Sequence, residues 1–92
     1  MIVSFACRKT ERLWQRQRDH GLPPQIDRAA LRKLTQLHRS RELRDLRVPP
    51  GNRLETLKGD RAGQYSIRIN DQWRICFRWH EGDACDVEIV DH

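Results

Sequence analysis

The stretch Tyr65-Ser66-Ile67-Arg68-Ile69-Asn70-Asp71-Gln72-Trp73-Arg74-Ile75-Cys76-Phe77-Arg78-Trp79-His80 decides the fold. Tyr65, Ile67 and Ile69 alternate with Ser66, Arg68 and Asn70, and Trp73, Ile75, Phe77 and Trp79 alternate with Arg74, Cys76, Arg78 and His80. Strict alternation is the period of a strand with one buried face. Two such runs around Asn70-Asp71-Gln72 predict an antiparallel hairpin. A slip of one residue would turn every apolar side chain to the wrong face. The expected register therefore pairs Ile69 with Trp73, Ile67 with Ile75 and Tyr65 with Phe77. The same register sets Arg68 opposite Arg74 on the other face, where facing like charges are destabilising. One reading is an anion site, since two guanidinium forks suit a phosphate. The other is that Glu88 or Asp71 neutralises the pair.

Downstream, Cys85, Val87 and Ile89 alternate with Asp86, Glu88 and Val90, which predicts a third strand after a turn at Glu81-Gly82-Asp83. Matching apolar faces pairs Trp79 with Cys85, Phe77 with Val87 and Ile75 with Ile89. Arg78 then faces Asp86, and Arg74 faces Val90. Continuing the alternation places Asp91 on the core side and His92 on the open side near Arg74. A histidine beside two arginines can move protons near neutral pH; a frayed terminal histidine without a role is the alternative. Upstream, Leu54-Glu55-Thr56-Leu57 reads as a short strand and Gly59-Asp60-Arg61-Ala62-Gly63 as turn-rich.

The first half reads as helices. Ile2 to Phe5 is β-prone. Arg8 to His20 reads as a helix with thin apolar content, chiefly Leu13 and Trp14, ended by Gly21-Leu22-Pro23-Pro24. Asp27 is a plausible N-cap for a second helix. There Ile26, Ala30, Leu34 and Leu37 form one apolar stripe, with Arg28, Arg32, Lys33 and Arg39 off it. Leu43, Leu46 and Val48 suggest one further turn before Pro49-Pro50-Gly51-Asn52 breaks the chain. Helices followed by a meander predict an α+β fold, two N-terminal helices packed on one face of a mostly antiparallel sheet. The 92 residues leave room for a single domain, residues 1–92.

No apolar run approaches the ~20 residues of a membrane helix. The opening Met1 to Phe5 is too short for a secretory h-region. A cytoplasmic protein without a membrane partner is expected. Cys7, Cys76 and Cys85 are an odd number without Cys-x-x-Cys spacing, and the four histidines are scattered, so neither a disulfide framework nor a metal or other cofactor is expected. The net charge of +5 is uneven. Residues 1–50 carry 12 Lys/Arg against 5 Asp/Glu, whereas residues 51–92 carry 6 against 8. Most of the cations are arginines, whose planar forks match phosphate and carboxylate. An acidic partner, nucleic acid or protein, is one reading; solvated helix faces are the other.

The run Leu57-Lys58-Gly59-Asp60-Arg61-Ala62-Gly63-Gln64-Tyr65-Ser66-Ile67-Arg68-Ile69-Asn70, then Trp73-Arg74-Ile75-Cys76-Phe77, Gly82-Asp83-Ala84 and Val87-Glu88-Ile89-Val90-Asp91-His92, resembles HigB toxins of the RelE superfamily. The opening Ile2-Val3-Ser4-Phe5 is similar to that family's start, so the resemblance spans essentially the whole chain. It implies a RelE-like fold and a ribosome-dependent mRNA endoribonuclease, the toxin of a type II toxin–antitoxin pair, which inhibits translation. Cleavage would proceed without metal through attack of the ribose 2′-hydroxyl on the adjacent phosphate. Arg74 matches the family arginine assigned to the scissile phosphate, and Arg68 a basic position that shares that task. Lys58 is the next candidate, for phosphate contact or proton transfer. Asp91 and His92 match the family's catalytic terminus. Arg61, Arg78, Arg12 and Arg16 are candidates for RNA backbone contact. The implied partners are a HigA-like helical antitoxin, the ribosome and mRNA, with operator DNA reached only through the antitoxin. Many relatives end in Asp-Tyr-His where this chain has Asp91-His92, and some carry a histidine where Glu55 stands; Glu55 is a possible substitute base. The missing tyrosine motivates one alternative, a catalytically impaired member acting as an RNA- or antitoxin-binding module; a protein-interaction domain whose arginines only pair with acidic surfaces is a further one.

Overall fold

Alternation in the second half produces a four-stranded antiparallel sheet in a computed structural model that describes residues 1–91. The elements in chain order are α1 (Arg8–Trp14), α2 (Asp27–Arg39), β1 (Glu55–Thr56), β2 (Tyr65–Arg68), β3 (Trp73–His80) and β4 (Asp83–Asp91). Short 3-10 turns lie at Pro24–Ile26, Leu43–Arg47, Pro50–Asn52 and Gly59–Arg61. The strands neighbour one another in sequence order, β1-β2-β3-β4. The fold is thus α+β, as expected. His92, the candidate proton carrier, lies outside the described residues.

The central hairpin adopts the expected register: Tyr65 pairs with Phe77, Ile67 with Ile75 and Arg68 with Arg74. The next hairpin does so only near its open end, where Ile75 pairs with Ile89 and Arg74 with Val90. Its turn is two residues, Glu81 (φ 49°) and Gly82 (φ 85°), closed by His80 opposite Asp83. Positive φ at both positions suits the twist of a tight hairpin. This shorter turn sets Trp79 opposite Ala84 and Arg78 opposite Cys85. A bulge at Asp86 and Val87 opposite Phe77 then absorbs one residue and restores the expected register from Glu88 onward. Asp86 sits at φ 50°, and its amide donates to Ser4 Oγ at 2.8 Å. Consequently Ala84, not Cys85, fills the core position, while Val87 and Ile89 remain buried.

The segment before α1 runs parallel along β4. Val3 N donates to the Ala84 carbonyl at 2.9 Å and Ala6 N to the Val87 carbonyl at 3.0 Å. The β-prone Ile2–Phe5 thus covers part of the β4 edge, which would otherwise present unpaired backbone groups. Buried Thr10 on α1 accepts the Ile89 N–H at 2.9 Å.

Two helix boundaries depart from expectation. α1 stops at Trp14, well before His20, because Arg16 takes φ 64° and closes the helix. Gln17 N donates to the Arg12 carbonyl at 3.0 Å and Arg16 N to the Leu13 carbonyl at 2.9 Å, the paired bonds of a Schellman end. An arginine, rather than glycine, occupies the left-handed position, so composition concealed the stop. Asp27 is not the N-cap of α2; Ile26 holds that place and Asp27 opens the helix. The Asp27 carboxylate instead meets His20 Nε2 at 2.9 Å, while His20 Nδ1 accepts the Leu22 N–H at 3.0 Å. Buried His20 therefore ties the loop to α2.

The apolar stripe of α2 is buried as expected: Ile26, Ala30, Leu34 and Leu37 join Leu13, Leu46, Ile67, Ile75, Phe77, Val87 and Ile89 in one core. Both helices contact β4. Among the described residues, no helix is long and apolar enough to cross a membrane.

Asn52 is among the fully buried polar side chains. Its Nδ2 donates to Gln36 Oε1 at 3.1 Å and to the Leu46 carbonyl at 3.2 Å, and its Oδ1 accepts from Lys33 Nζ. Asn52→Ala strands these groups and should cost about 2 kcal/mol, the typical penalty of unsatisfied buried partners. Chemical denaturation reads this as a lower midpoint at unchanged m.

Candidate active site

The polar face of the β2–β3 hairpin carries Ser66, Arg68, Arg74 and Cys76, because alternation sends Ile67, Ile75 and Phe77 to the core. Over this face lies a cavity of about 220 Å³. Ser66, Arg74 and Cys76 form part of its wall; Glu55 and Arg61 bound it from the preceding segment, and Val90 and Asp91 from β4.

Arg74 is the fixed point of the cavity. Its side chain is only 9% exposed. Nε donates to Ser66 Oγ at 3.0 Å and Nη2 to the Arg53 carbonyl at 3.1 Å, while Glu55 Oε2 lies 3.5 Å from Nη2. Arg53 offers that carbonyl from a left-handed backbone (φ 47°) at the end of the Pro50–Asn52 turn. Nη1 makes no hydrogen bond among the described residues. The guanidinium is thus oriented on two sides and retains donors for an anion.

The other expected residues divide clearly. Arg61 lines the same cavity; its Nη1 donates to Glu88 Oε1 at 2.7 Å and to Gln64 Oε1 at 3.1 Å. Its bond to Glu88 holds the guanidinium more firmly protonated than usual. Asp91 also lines the cavity. It is exposed rather than turned into the core, and it accepts from Gln72 Nε2 at 3.2 Å. Arg68 faces Arg74 across the strands, but its guanidinium pairs with Asp71 and does not line the cavity. Lys58 is exposed just before the Gly59–Arg61 turn and is also outside the lining. Arg78 lies 3.6 Å from Asp86 despite the shifted register, because Asp86 is the bulged residue. Arg12 and Arg16 belong to α1 and its end, and Arg16 stacks over Trp14 with its guanidinium 5.6 Å from the ring centroid.

Of the two carboxylates that could neutralise the Arg68–Arg74 pair, Asp71 or Glu88, one does so. Asp71 does pair with Arg68, but Glu88 pairs with Arg61, and the carboxylate beside Arg74 is Glu55. Each of these three guanidinium groups therefore touches one carboxylate. Ser66 and Cys76 were not singled out for the site. The alternation that placed Arg68 and Arg74 on one face places both beside them, so the signal was present. Burial raises the Cys76 thiol above its ordinary range, against opposing pulls from Arg61 and Arg74. It stays a neutral thiol at pH 7.

The site is thus a buried, oriented arginine at the wall of a small cavity on the sheet of an α+β domain. Residues 3–92 match the model of the family described as the RelE-like toxin of type II toxin-antitoxin system HigB, and the chain belongs to that family. It is 38% identical over 93 residues to Toxin HigB-1 of Vibrio cholerae serotype O1, covering 100% of this chain and 98% of that one. It is 33% identical over 93 residues to Endoribonuclease HigB of Proteus vulgaris, covering 100% and 99%. An uncharacterized protein of Haemophilus influenzae is 31% identical over 71 residues, 77% of this chain and 70% of that one.

Proposed function

We propose that this chain is an endoribonuclease toxin that cleaves mRNA on the translating ribosome. The observation that carries this reading is the Arg74 guanidinium, held by Ser66 and Arg53 at the wall of a cavity that Arg61 and Asp91 also line. Family membership supports the coarse reading, a toxin with an antitoxin partner, and one relative's name, Endoribonuclease HigB, supports RNA as substrate.

The reaction needs no metal in this reading. The ribose 2′-oxygen forms a bond to the adjacent phosphorus and the bond to the 5′-oxygen breaks. The 2′-hydroxyl proton passes to a base, and the leaving 5′-oxygen receives a proton. Arg74 and Arg61 hold the scissile phosphate and stabilise the charge that builds on its oxygens. Arg68, outside the cavity lining, meets the adjoining phosphate backbone once it releases Asp71, and Lys58, just before the Gly59–Arg61 turn, offers phosphate contact or proton transfer. Asp91 and His92 carry the proton transfers, which contribute typically 10²–10⁴-fold. Arg12, Arg16 and Arg78 meet RNA backbone outside the cavity. Residues 1–92 act as one cytoplasmic RelE-like domain with both helices backing the sheet face opposite the cavity, a placement supported by their contacts with β4. The antitoxin is HigA-like and carries the complex to operator DNA.

A catalytically impaired, RNA- or antitoxin-binding member remains the second reading. Its support is the Asp91-His92 terminus, where many relatives have a tyrosine between the two residues. Expression of the wild-type chain without antitoxin, with mapping of mRNA ends on ribosomes, separates the two. New ends within translated messages, lost in His92→Ala, are expected. Uncut messages overturn the toxin reading, and growth arrest without cleavage favours a protein-interaction domain.

A further inference from the structure

The short segment Asn52-Arg53 holds two cations. Arg53 accepts Arg74 Nη2 through its carbonyl at 3.1 Å, and Asn52 accepts Lys33 Nζ through Oδ1. Consecutive Cα atoms are about 3.8 Å apart, so the two cations are anchored at neighbouring points of one turn. The anchor is rigid, because Asn52 is fully buried and its amide nitrogen is bound to Gln36 and the Leu46 carbonyl.

Lys33 projects from α2 and is only partly exposed. Of its three ammonium donors, one is used on neutral Asn52. No carboxylate pairs with it among the described residues. Burial, then Arg32, then Arg68 hold its pKa below the lysine norm. Arg68 stands opposite Arg74, which is anchored on Arg53, and Arg32 precedes Lys33 on α2, so three cations gather on the two sides of this turn; among the described residues the one carboxylate paired with them is Asp71, whose side chain is 100% exposed. Crowded positive charge without a buried counter-ion is what a polyanion relieves on binding.

We propose that Lys33, Arg32 and Arg68 form a second phosphate subsite, which holds the phosphodiester next to the one bound at Arg74. The ligand class is single-stranded RNA, and the inference rests on the proposed function. The strand runs from the cavity over the Asn52-Arg53 turn toward α2. One phosphate sits against Arg74 and Arg61, and its neighbour displaces Asp71 to reach Arg68 and Lys33. Arg32, exposed one residue before Lys33, adds a flexible outer contact. The subsite gives Arg68 a role that its absence from the cavity lining would otherwise leave unexplained.

The test uses oligonucleotides with a 2′-deoxyribose at the scissile position, which block cleavage. Binding of a labelled dinucleotide and a labelled pentanucleotide is followed by fluorescence polarisation at low ionic strength and then across a salt series. Lys33→Gln retains a donor for Asn52, and Arg32→Gln alters an exposed residue, so at least the second keeps the fold. Each should weaken pentanucleotide binding roughly fivefold and leave dinucleotide binding unchanged. Each should also flatten the log–log salt slope by about 0.7, the value for one phosphate contact on a single strand. Arg74→Ala should weaken both probes. Unchanged pentanucleotide affinity in both glutamine variants, beside loss in Arg74→Ala, overturns the subsite and spares the proposed function. Loss of antitoxin binding without loss of oligonucleotide binding assigns the patch to a protein and also overturns it. A wild-type chain that binds neither probe overturns the subsite, while message cleavage on ribosomes still judges the proposed function separately.

Discussion

Arg74→Ala should lower message cleavage by at least about 10²–10³-fold, the loss typical of removing one preorganised donor from a developing oxyanion. Arg74→Lys should not restore it. The arginine fork binds Ser66 Oγ through Nε and the Arg53 carbonyl through Nη2, and still has Nη1 donors to offer. Lysine has one nitrogen at the end of a flexible stem and cannot keep both anchors while presenting a fork to phosphate. The fold also responds. Ser66 is fully buried, and losing its partner costs about 1–3 kcal/mol. The clean measurement is therefore single-turnover cleavage on programmed ribosomes at a temperature where circular dichroism shows both variants folded. Cleavage within tenfold of wild type in folded Arg74→Ala would remove this residue from the chemistry.

Phe77→Ala should be the most destabilising single change considered, at about 3–5 kcal/mol. Phe77 is fully buried at the centre of β3. Its ring lies 6.1 Å from Tyr65 and meets Trp79 edge-on at 6.3 Å. It also stands opposite the bulge, where Asp86 and Val87 share one partner position. Truncation thus opens a cavity where the ladder is already interrupted. Domains of this size lose about 4–8 °C in Tm per kcal/mol, so a drop of at least about 12 °C is expected. Because typical total stability is about 5–15 kcal/mol, a larger unfolded fraction at 37 °C is expected for this variant, measured by thermal circular dichroism. A shift under about 5 °C would mean that the core repacks around the void.

The parts of the fold visible in the sequence are those set by repeating side-chain contrast. The β2–β3 register was legible because Tyr65, Ile67, Ile75 and Phe77 share one buried face, which no slipped pairing satisfies. The α2 stripe was legible for the same reason. Backbone exceptions were not. Arg16, Glu81 and Asp86 take positive φ without being glycine, so the end of α1, the two-residue length of the turn at Glu81-Gly82 and the bulge left no compositional mark. Asp27 looked like a cap because aspartate often is one, but a partner seven residues upstream, His20, claimed its carboxylate.

The site followed the same division. Facing Arg68 and Arg74 were readable from register alone. Which carboxylate meets which arginine was not, because Glu55, Asp71 and Glu88 reach their partners from different elements. The Arg53 carbonyl is a backbone group and carries no side-chain signature. Lys33 looked like one more solvated helix cation until its bond to buried Asn52 placed it beside the site.

The pairing of residues 1–6 with β4 has a consequence for the order in which the molecule comes together. Ser4 Oγ binds the Asp86 amide across 82 positions of sequence, and Thr10 Oγ1 binds that of Ile89 across 79. Contacts of such separation close long loops and slow folding. β4 is also translated after every other element, and it supplies Val90 and Asp91 to the cavity. A nascent chain paused before β4 can form helix α2 and the β2–β3 hairpin, yet its first residues have no strand to pair with and its cavity lacks a wall. Until β4 is made, the chain therefore lacks the Val90 and Asp91 side of the cavity.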